Sequence, residues 1–193
     1  MNPMFTIGHS NHSIETFVAL LQANGITAIA DVRSSPYSRW SPHFSRERLE
    51  GTLKSLGMAY VYLGKELGGR PDRADLYAGN VADYEKMAQT AEFSSGLKRL
   101  LTGAGRFTVS MLCSERDPMD CHRCLLVGRH ICGETNLSHI HADGRLEAHA
   151  SFEDRLLSTT GLSDDLLRER SDALAGAYRM RAGSAAFRRT GES

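Results

Sequence analysis

Short apolar runs alternate with helical patterns along this chain, and each run gives way at once to polar residues. Such alternation predicts βα units wound around a largely parallel sheet, because parallel neighbours need a crossover and the crossover is usually a helix. Met4–Gly8 reads as the first strand. A helix capped by Ser13 follows, with Ile14, Phe17, Val18 and Leu21 on one face and Asn24-Gly25 as its stop. Residues 27–32 form a second strand, Ser45 opens a helix on Leu49, Leu53 and Leu56 that stops at Gly57, and 58–63 form a third strand.

The segment 64–80 reads as a long loop, of a kind that is usually functional. A helix over 82–101 presents Tyr84, Met87, Ala88, Leu97 and Leu100 to the core. The fourth strand is 106–112, the next helix about 119–131, and the fifth strand 137–141. Asp143-Gly144 is a turn that can return a short strand near Leu146. From Ser151 the pattern is helical again, on Phe152, Leu156 and Leu157 and then Leu162, Leu166 and Leu167. The last dozen residues, small and dotted with arginine, are expected to fray. The expected fold is a three-layer, Rossmann-like α/β architecture with about five mainly parallel strands. Its α/β domain spans 1–150, and a helical C-terminal extension over 151–193 packs on it.

The chain has 193 residues, enough for one substantial core. Its 23 basic and 23 acidic side chains cancel, so no global field draws it to nucleic acid or a membrane, although 31–73 is locally arginine-rich. No apolar run approaches the ~20 residues of a membrane span. The opening Met-Asn-Pro-Met-Phe-Thr lacks a secretory pattern, so a cytoplasmic protein is expected. All four cysteines, Cys113, Cys121, Cys124 and Cys132, fall within twenty residues. A disulfide framework would spread them; clustering instead suggests thiols placed by local geometry. Cys132, near the end of an apolar helix, reads as a buried free thiol.

In open α/β sheets, ligands bind outside the carboxyl ends of the strands. Those ends here carry Gly8-His9-Ser10, Asp31-Val32-Arg33, Lys65-Glu66-Leu67-Gly68-Gly69-Arg70, and Cys113-Ser114-Glu115 leading to Cys121-His122-Arg123. Together Thr6-Ile7-Gly8-His9-Ser10, Asp31-Val32-Arg33-Ser34-Ser35-Pro36, Leu67-Gly68-Gly69-Arg70, Leu112-Cys113-Ser114-Glu115 and Cys121-His122-Arg123 resemble the DUF488 family of bacterial and archaeal proteins, over residues 5–149. The resemblance implies a single α/β domain with these motifs gathered at one sheet edge. It implies no activity, and it ties Cys124 and Cys132 to the pattern less closely than Cys113 and Cys121.

Cys113 and Cys121 are candidates for a nucleophile or redox thiol, their thiolates favoured by His122, Arg123 and a helix N-terminus. The alternative makes both small buried residues. Cys121 and Cys124 have dithiol spacing, and Cys113, Cys121, Cys124 and His122 supply four zinc-type donors. Adjacent residues seldom share one ion, so no metal or other cofactor is expected. Arg123, with Arg33, Arg39 and Arg70, can clamp an anion. Salt bridges to Asp31, Glu115 and Glu66 compete with that role. His9 and His122 are candidate acid/base groups, with Asp31 and Glu115 as orienting carboxylates. Asp31 can instead hydrogen-bond the turn before Pro36. Ser10 and Gly69 lie at strand ends where a ligand would touch them. Trp40, in an aromatic and arginine-bearing loop, can stack on a base or pack on the domain. His139 and His141 share a strand face, which admits a metal. The expected function is an enzyme whose cysteine-containing, anion-binding pocket acts on a nucleotide, a nucleic acid or another phosphate-bearing ligand. The alternative is a non-catalytic nucleotide- or nucleic-acid-binding, or thiol redox-sensing, module.

Overall fold

The computed structural model describes residues 2–162 and 169–190. The first half runs β1 (Met4–Gly8), α1 (Ile14–Ala23), β2 (Ala28–Asp31), α2 (Arg46–Ser55), β3 (Ala59–Tyr62), α3 (Gly64–Leu67), and a hairpin of β4 (Tyr77–Ala78) and β5 (Val81–Ala82). The second half runs α4 (Tyr84–Ala88), α5 (Ala91–Ala104), β6 (Val109–Cys113), α6 (Arg129–Ile131), β7 (Leu137–Ile140), β8 (Leu146–Ala148), α7 (His149–Thr160) and α8 (Arg170–Ala185). Six strands form one sheet in the order β3-β2-β6-β1-β7-β8, parallel throughout except for β8. The sheet thus has one strand more than expected, because the turn at Asp143-Gly144 does return a paired strand at Leu146.

Alternation along the strands divides the core into two layers. Met4, Ala28, Ala30, Val109 and Met111 face Phe93 and Leu100 of α5, Leu125 and Leu126, and Phe152, Leu156 and Tyr178 of the last two helices. Ile7, Ile29, Leu112 and Ile140 face Phe17 and Leu21 of α1, Leu49 and Leu53 of α2, and Phe44. The helix signals act as read: Ser13 Oγ accepts the Thr16 N–H at 3.2 Å, and Gly25 and Gly57 take φ of 62° and 73° after their helices.

Three helical expectations change. The helix expected over 82–101 is two helices, because Thr90 turns extended and caps α5 by accepting the Phe93 N–H at 3.1 Å. The long loop over 64–80 carries α3, a 3-10 turn at Ala74–Leu76 and the β4–β5 hairpin. The helix expected over 119–131 is a 3-10 turn (Pro118–Asp120), an extended Cys121, a π turn (Arg123–Gly128) and α6. In that π turn the Arg129 N–H reaches the Cys124 carbonyl five residues back, a geometry that recurs at functional sites.

The C-terminal segment is tied down rather than frayed up to its last described residues. The Ala82 N–H donates to the Phe187 carbonyl at 2.9 Å, the Arg189 N–H to the Asn80 carbonyl at 2.8 Å, and Phe187 packs on the core. Leu166 and Leu167, expected on a helix face, lie outside the described residues. Among the described residues no helix is long and apolar enough to cross a membrane.

One polar chain threads the core. Tyr178 Oη donates to Glu153 Oε1 at 3.2 Å, which leaves its oxygen to accept from His149 Nε2 at 3.0 Å. His149 Nδ1 must then accept from His139 Nε2 at 3.0 Å, and His139 Nδ1 accepts from Thr6 Oγ1 at 2.9 Å. Both imidazoles are therefore neutral, and burial pushes His149 down to about 4. His141 has a separate partner, Glu147, at 2.8 Å, so His139 and His141 do not share a metal site.

His149 binds no proton in the folded state until well below its ordinary 6.5, whereas the unfolded chain binds one there. Stability is thus expected to fall as pH drops from about 6.5 to about 4, by on the order of 3 kcal/mol for this group. Denaturant melts at stepped pH measure it. Tyr178→Phe strands the His149 N–H and is expected to cost about 1–3 kcal/mol at neutral pH.

Candidate active site

Parallel pairing places Gly8 beside Cys113 at the carboxyl ends of β1 and β6. The ladder continues past both strands, with the His9 N–H on the Cys113 carbonyl (2.9 Å) and the Ser10 N–H on the Ser114 carbonyl (3.0 Å). The chain after Cys113 then folds back over β1, and a Cβ on Gly8 would lie 1.8 Å from the Glu115 carbonyl oxygen. Only glycine permits that crossing. Arg123, with no exposed surface, fastens it by donating from Nη1 to the Glu115 carbonyl (2.7 Å) and from Nη2 to the Arg116 carbonyl (3.3 Å). Arg123 is therefore not a free anion clamp. Its Nη donors face the backbone, and among the described residues its buried Nε meets no acceptor.

The fold-back brings Cys113, Glu115, Cys121 and His122 together, with one donor atom of each within 4.8 Å of the others. His122 Nε2 donates to the Val32 carbonyl at 2.8 Å, since a carbonyl only accepts. That sets the tautomer and leaves Nδ1 facing Cys113 Sγ at 3.6 Å and Cys121 Sγ at 3.9 Å. Cys121 Sγ donates to Glu115 Oε2 at 3.1 Å and receives the Arg123 N–H at 3.4 Å. Gly69 closes one side: a Cβ there would lie 2.7 Å from the His122 ring. Its neighbour Gly68 lets the loop pass Ser34, whose Oγ accepts the Arg70 N–H at 2.9 Å.

Burial pushes both thiols up, but their surroundings separate them. The Cys113 hydrogen bond, Arg123 and His122 bring Cys121 down to about 6, whereas burial and the Cys121 charge hold Cys113 well above its ordinary value. One negative charge shared by the pair thus resides on Cys121. Burial works against Glu115, yet His122 and the two thiols hold it down at about 2. Burial would lower His122, and the neighbouring Cys121 and Glu115 charges raise it. With the Cys121 proton on His122, two cations (His122, Arg123) face two anions (Cys121, Glu115). With that proton back on sulfur, Cys121 donates to Glu115.

Other expected residues stand apart from this cluster. Asp31 is fully buried and holds Arg33 through Nε (2.9 Å) and Nη2 (2.6 Å) while accepting from Tyr60 Oη (2.7 Å). The competing salt bridge wins here, so Asp31 is not a free base and the Arg33 charge is already paired. His9 donates from Nδ1 to the Ser10 carbonyl (3.0 Å) and stacks on Phe44, with ring centroids 4.5 Å apart. Burial and then Arg33 push it down to about 4, so it is neutral and carries no acid proton at pH 7. Ser10 takes a φ of 46° and bonds Asn11, while Trp40 is 94% exposed. Neither Trp40 nor Arg39 lines the clefts beside Cys113 and Arg70. Cys124 turns away to Thr6 (3.7 Å) and His139 (3.4 Å), and burial pushes it up to about 12. Glu115 takes its place beside Cys113, Cys121 and His122. Cys132 is half-buried rather than buried.

Cys113, Glu115 and His122 open on a cavity of about 120 Å³ that Arg33, Arg70 and Tyr84 also line. A cleft of about 630 Å³ adjoins it, sharing Ser34, Ser35, Arg70 and Phe187 and adding Lys65. Arg70 has no ion-pair partner among the described residues and lies over Phe187, with its guanidinium 4.8 Å from the ring. Ser34, Tyr84 and Phe187 were not expected at the site. Ser34 carried a signal, since it directly follows the strand-end Arg33. Tyr84 was legible only as core, and nothing local marked Phe187.

A family model described as Domain of unknown function DUF488 matches residues 13–129, more than half of the chain. The matched segment contains Asp31-Val32-Arg33, Leu67-Gly68-Gly69-Arg70 and all four residues of the thiol cluster, while Thr6–Ser10 precede it. Comparison with curated proteins and with solved structures gives no match.

Thiolate absorbance of the native protein is expected to rise through a pKa near 6, far below an ordinary cysteine. The step should vanish in Cys121→Ser and persist in Cys124→Ser. Gly69→Ala, which displaces the His122 ring, should move it upward; an unmoved step would show that the ring does not set the thiol's charge.

Proposed function

The chain belongs to the DUF488 family, a domain of unknown function, and from the chemistry of its own site we propose that it is a cysteine-dependent enzyme acting on a phosphate-bearing small molecule. One observation carries the reading: Cys113 lines the cavity, His122 Nδ1 lies 3.6 Å from its Sγ, and the Val32 carbonyl holds the ring in the tautomer whose lone pair faces sulfur. That is a nucleophile beside an oriented base. Arg70 and Lys65, both exposed, stand where the ligand's phosphate would enter.

His122 takes the Cys113 proton as Sγ bonds the ligand's electrophilic atom. The leaving group departs with the electron pair of the broken bond and receives that proton from His122. Water then displaces the sulfur, giving its proton to His122, which returns it to Cys113. Cys121 and Glu115 hold the negative charge that stabilises the imidazolium between these transfers.

A second reading, a dithiol sensor, is favoured by the two sulfurs lying within 4.8 Å. Cys113 would give its proton to His122 as Sγ attacks peroxide, yielding a sulfenic acid and, with that proton, water; the Cys121 thiolate would then displace hydroxide from the sulfenic acid to form a disulfide.

Iodoacetamide labelling of folded protein separates the readings. Cys113 should be alkylated at pH 7, at least tenfold more slowly in His122→Gln, and pyrophosphate should protect it. Arg70→Ala should lose that protection while keeping the unprotected rate. Thiols that react only after unfolding would overturn the enzyme reading. Rapid Cys113–Cys121 disulfide formation with peroxide, without pyrophosphate protection, would favour the sensor.

A further inference from the structure

We infer that Cys113, Glu115, Cys121 and His122 form a four-ligand site for a divalent transition metal of the zinc class, and that the bound ion silences the thiols. The silencing rests on the enzyme reading above; the metal site does not. Zinc held by two sulfurs, one imidazole nitrogen and one carboxylate oxygen needs donors separated by roughly 3.3–3.8 Å, given bond lengths near 2.0–2.3 Å and tetrahedral angles. Observed separations are 3.1 Å for Cys121–Glu115, 3.6 Å for Cys113–His122 and 3.9 Å for Cys121–His122. These three bracket the required range, and the remaining three separations lie within 4.8 Å, so contraction by about an ångström or less completes the tetrahedron.

The surroundings are those a metal site uses. A ligating imidazole usually donates its far N–H to a carbonyl or carboxylate, and His122 Nε2 does so to the Val32 carbonyl at 2.8 Å. Two thiolates and a carboxylate around a divalent cation leave one negative charge. The buried Arg123 guanidinium, fastened to the Glu115 carbonyl at 2.7 Å, lies beside it to offset that charge. The Arg123 N–H already points at Cys121 Sγ, as an outer-shell donor to a ligating thiolate would.

Cys132, His149 and Glu153 also approach within 4.8 Å of one another, but the imidazole of that group has no free lone pair. His149 Nδ1 faces His139 and Nε2 faces Tyr178, while Cys132 Sγ donates to the Arg129 carbonyl. The contrast is informative, since only at the first cluster does an imidazole lone pair face the sulfurs. Adjacency of Cys121 and His122 is no obstacle there. Cys121 is extended (φ −137°, ψ 135°) and His122 helical (φ −59°, ψ −25°), so the two side chains leave the chain differently and converge.

A closed set of four protein ligands leaves no position for water, which suits a structural or masking ion rather than a catalytic one. The metal would occupy both sulfurs and the Nδ1 lone pair, the atoms on which the proposed chemistry depends.

The test is cobalt(II) titration of the full, reduced protein. Thiolate-to-cobalt charge transfer and tetrahedral d–d bands should saturate at one ion per chain and be displaced by zinc. Cys113→Ser and Cys121→Ser should each weaken binding beyond the roughly 10–100-fold cost of losing an outer-shell partner. Glu115→Gln should weaken it at least tenfold, and Cys124→Ser and Cys132→Ser should leave it unchanged. Circular dichroism of each variant separates lost binding from lost folding. Bound zinc should stop iodoacetamide labelling of Cys113, and a chelator should restore it.

Absence of the charge-transfer band in folded wild-type protein would overturn the inference. So would bands that depend on Cys124 or Cys132 instead of Cys113 and Cys121. Labelling of Cys113 in metal-free protein that shows no cobalt band would leave the enzyme reading standing alone. A cobalt band with unreactive metal-free thiols would keep the metal site and remove both the enzyme and its silencing.

Discussion

The site depends on one buried guanidinium. Arg123 has no exposed surface, and taking such a charge out of water costs several kcal/mol unless anions and acceptors surround it. Two backbone carbonyls, from Glu115 and Arg116, and the nearby Cys121 and Glu115 charges offset most of that cost, although the buried Nε meets no acceptor among the described residues. The same contacts hold the chain after β6 across Gly8, which keeps Cys113 at the cavity wall and Glu115 against Cys121. A residue suited to gripping a ligand from outside instead holds the thiol turn from within.

The π turn that begins at Arg123 separates two polar networks of opposite character. On the cavity side, charges sit close together and one proton has several possible seats. On the other, Thr6, His139, His149 and Tyr178 form a directional chain of neutral groups that ties β1, β7, α7 and α8 together. Cys121 belongs to the first network and Cys124 to the second, despite their three-residue spacing. Side chains three apart share a face only within a helix, and Cys121 precedes the helical turns in extended conformation.

Much of the fold was legible in the sequence. Met4–Gly8 is a strand over the residues read, Ser13 caps α1, and the other parallel strands differ from their expected bounds by a few residues at their ends. Those features are local, since period, cap and turn chemistry act within a few residues of one another. The break at Thr90 was missed because a cap inside a continuous apolar pattern alters the path without altering the pattern. The tail's pairing with β5 was missed because its partners lie about a hundred residues away. At the site, convergence of Cys113, Glu115, Cys121, His122 and Arg70 was legible from strand-end logic. The placement of Asp31, His9 and Trp40 was not, since it turned on which of several chemically suitable partners lay nearest.

By itself the sequence determined the residue types at each strand end and the mainly parallel sheet that gathers those ends on one edge. Only the tertiary structure decided which charges pair with one another and which face a ligand. Arg33 closed on Asp31 and Arg123 on backbone carbonyls, while Arg70 pairs with no carboxylate among the described residues. The physical reason is that pairing energies fall steeply with distance and rise with burial, and both are set by packing between segments far apart in the chain. A cysteine, a histidine and a carboxylate can be read from the chain. Their 3–4 Å spacing, from which both the nucleophile and the metal site follow, exists only once β6 has folded back over β1.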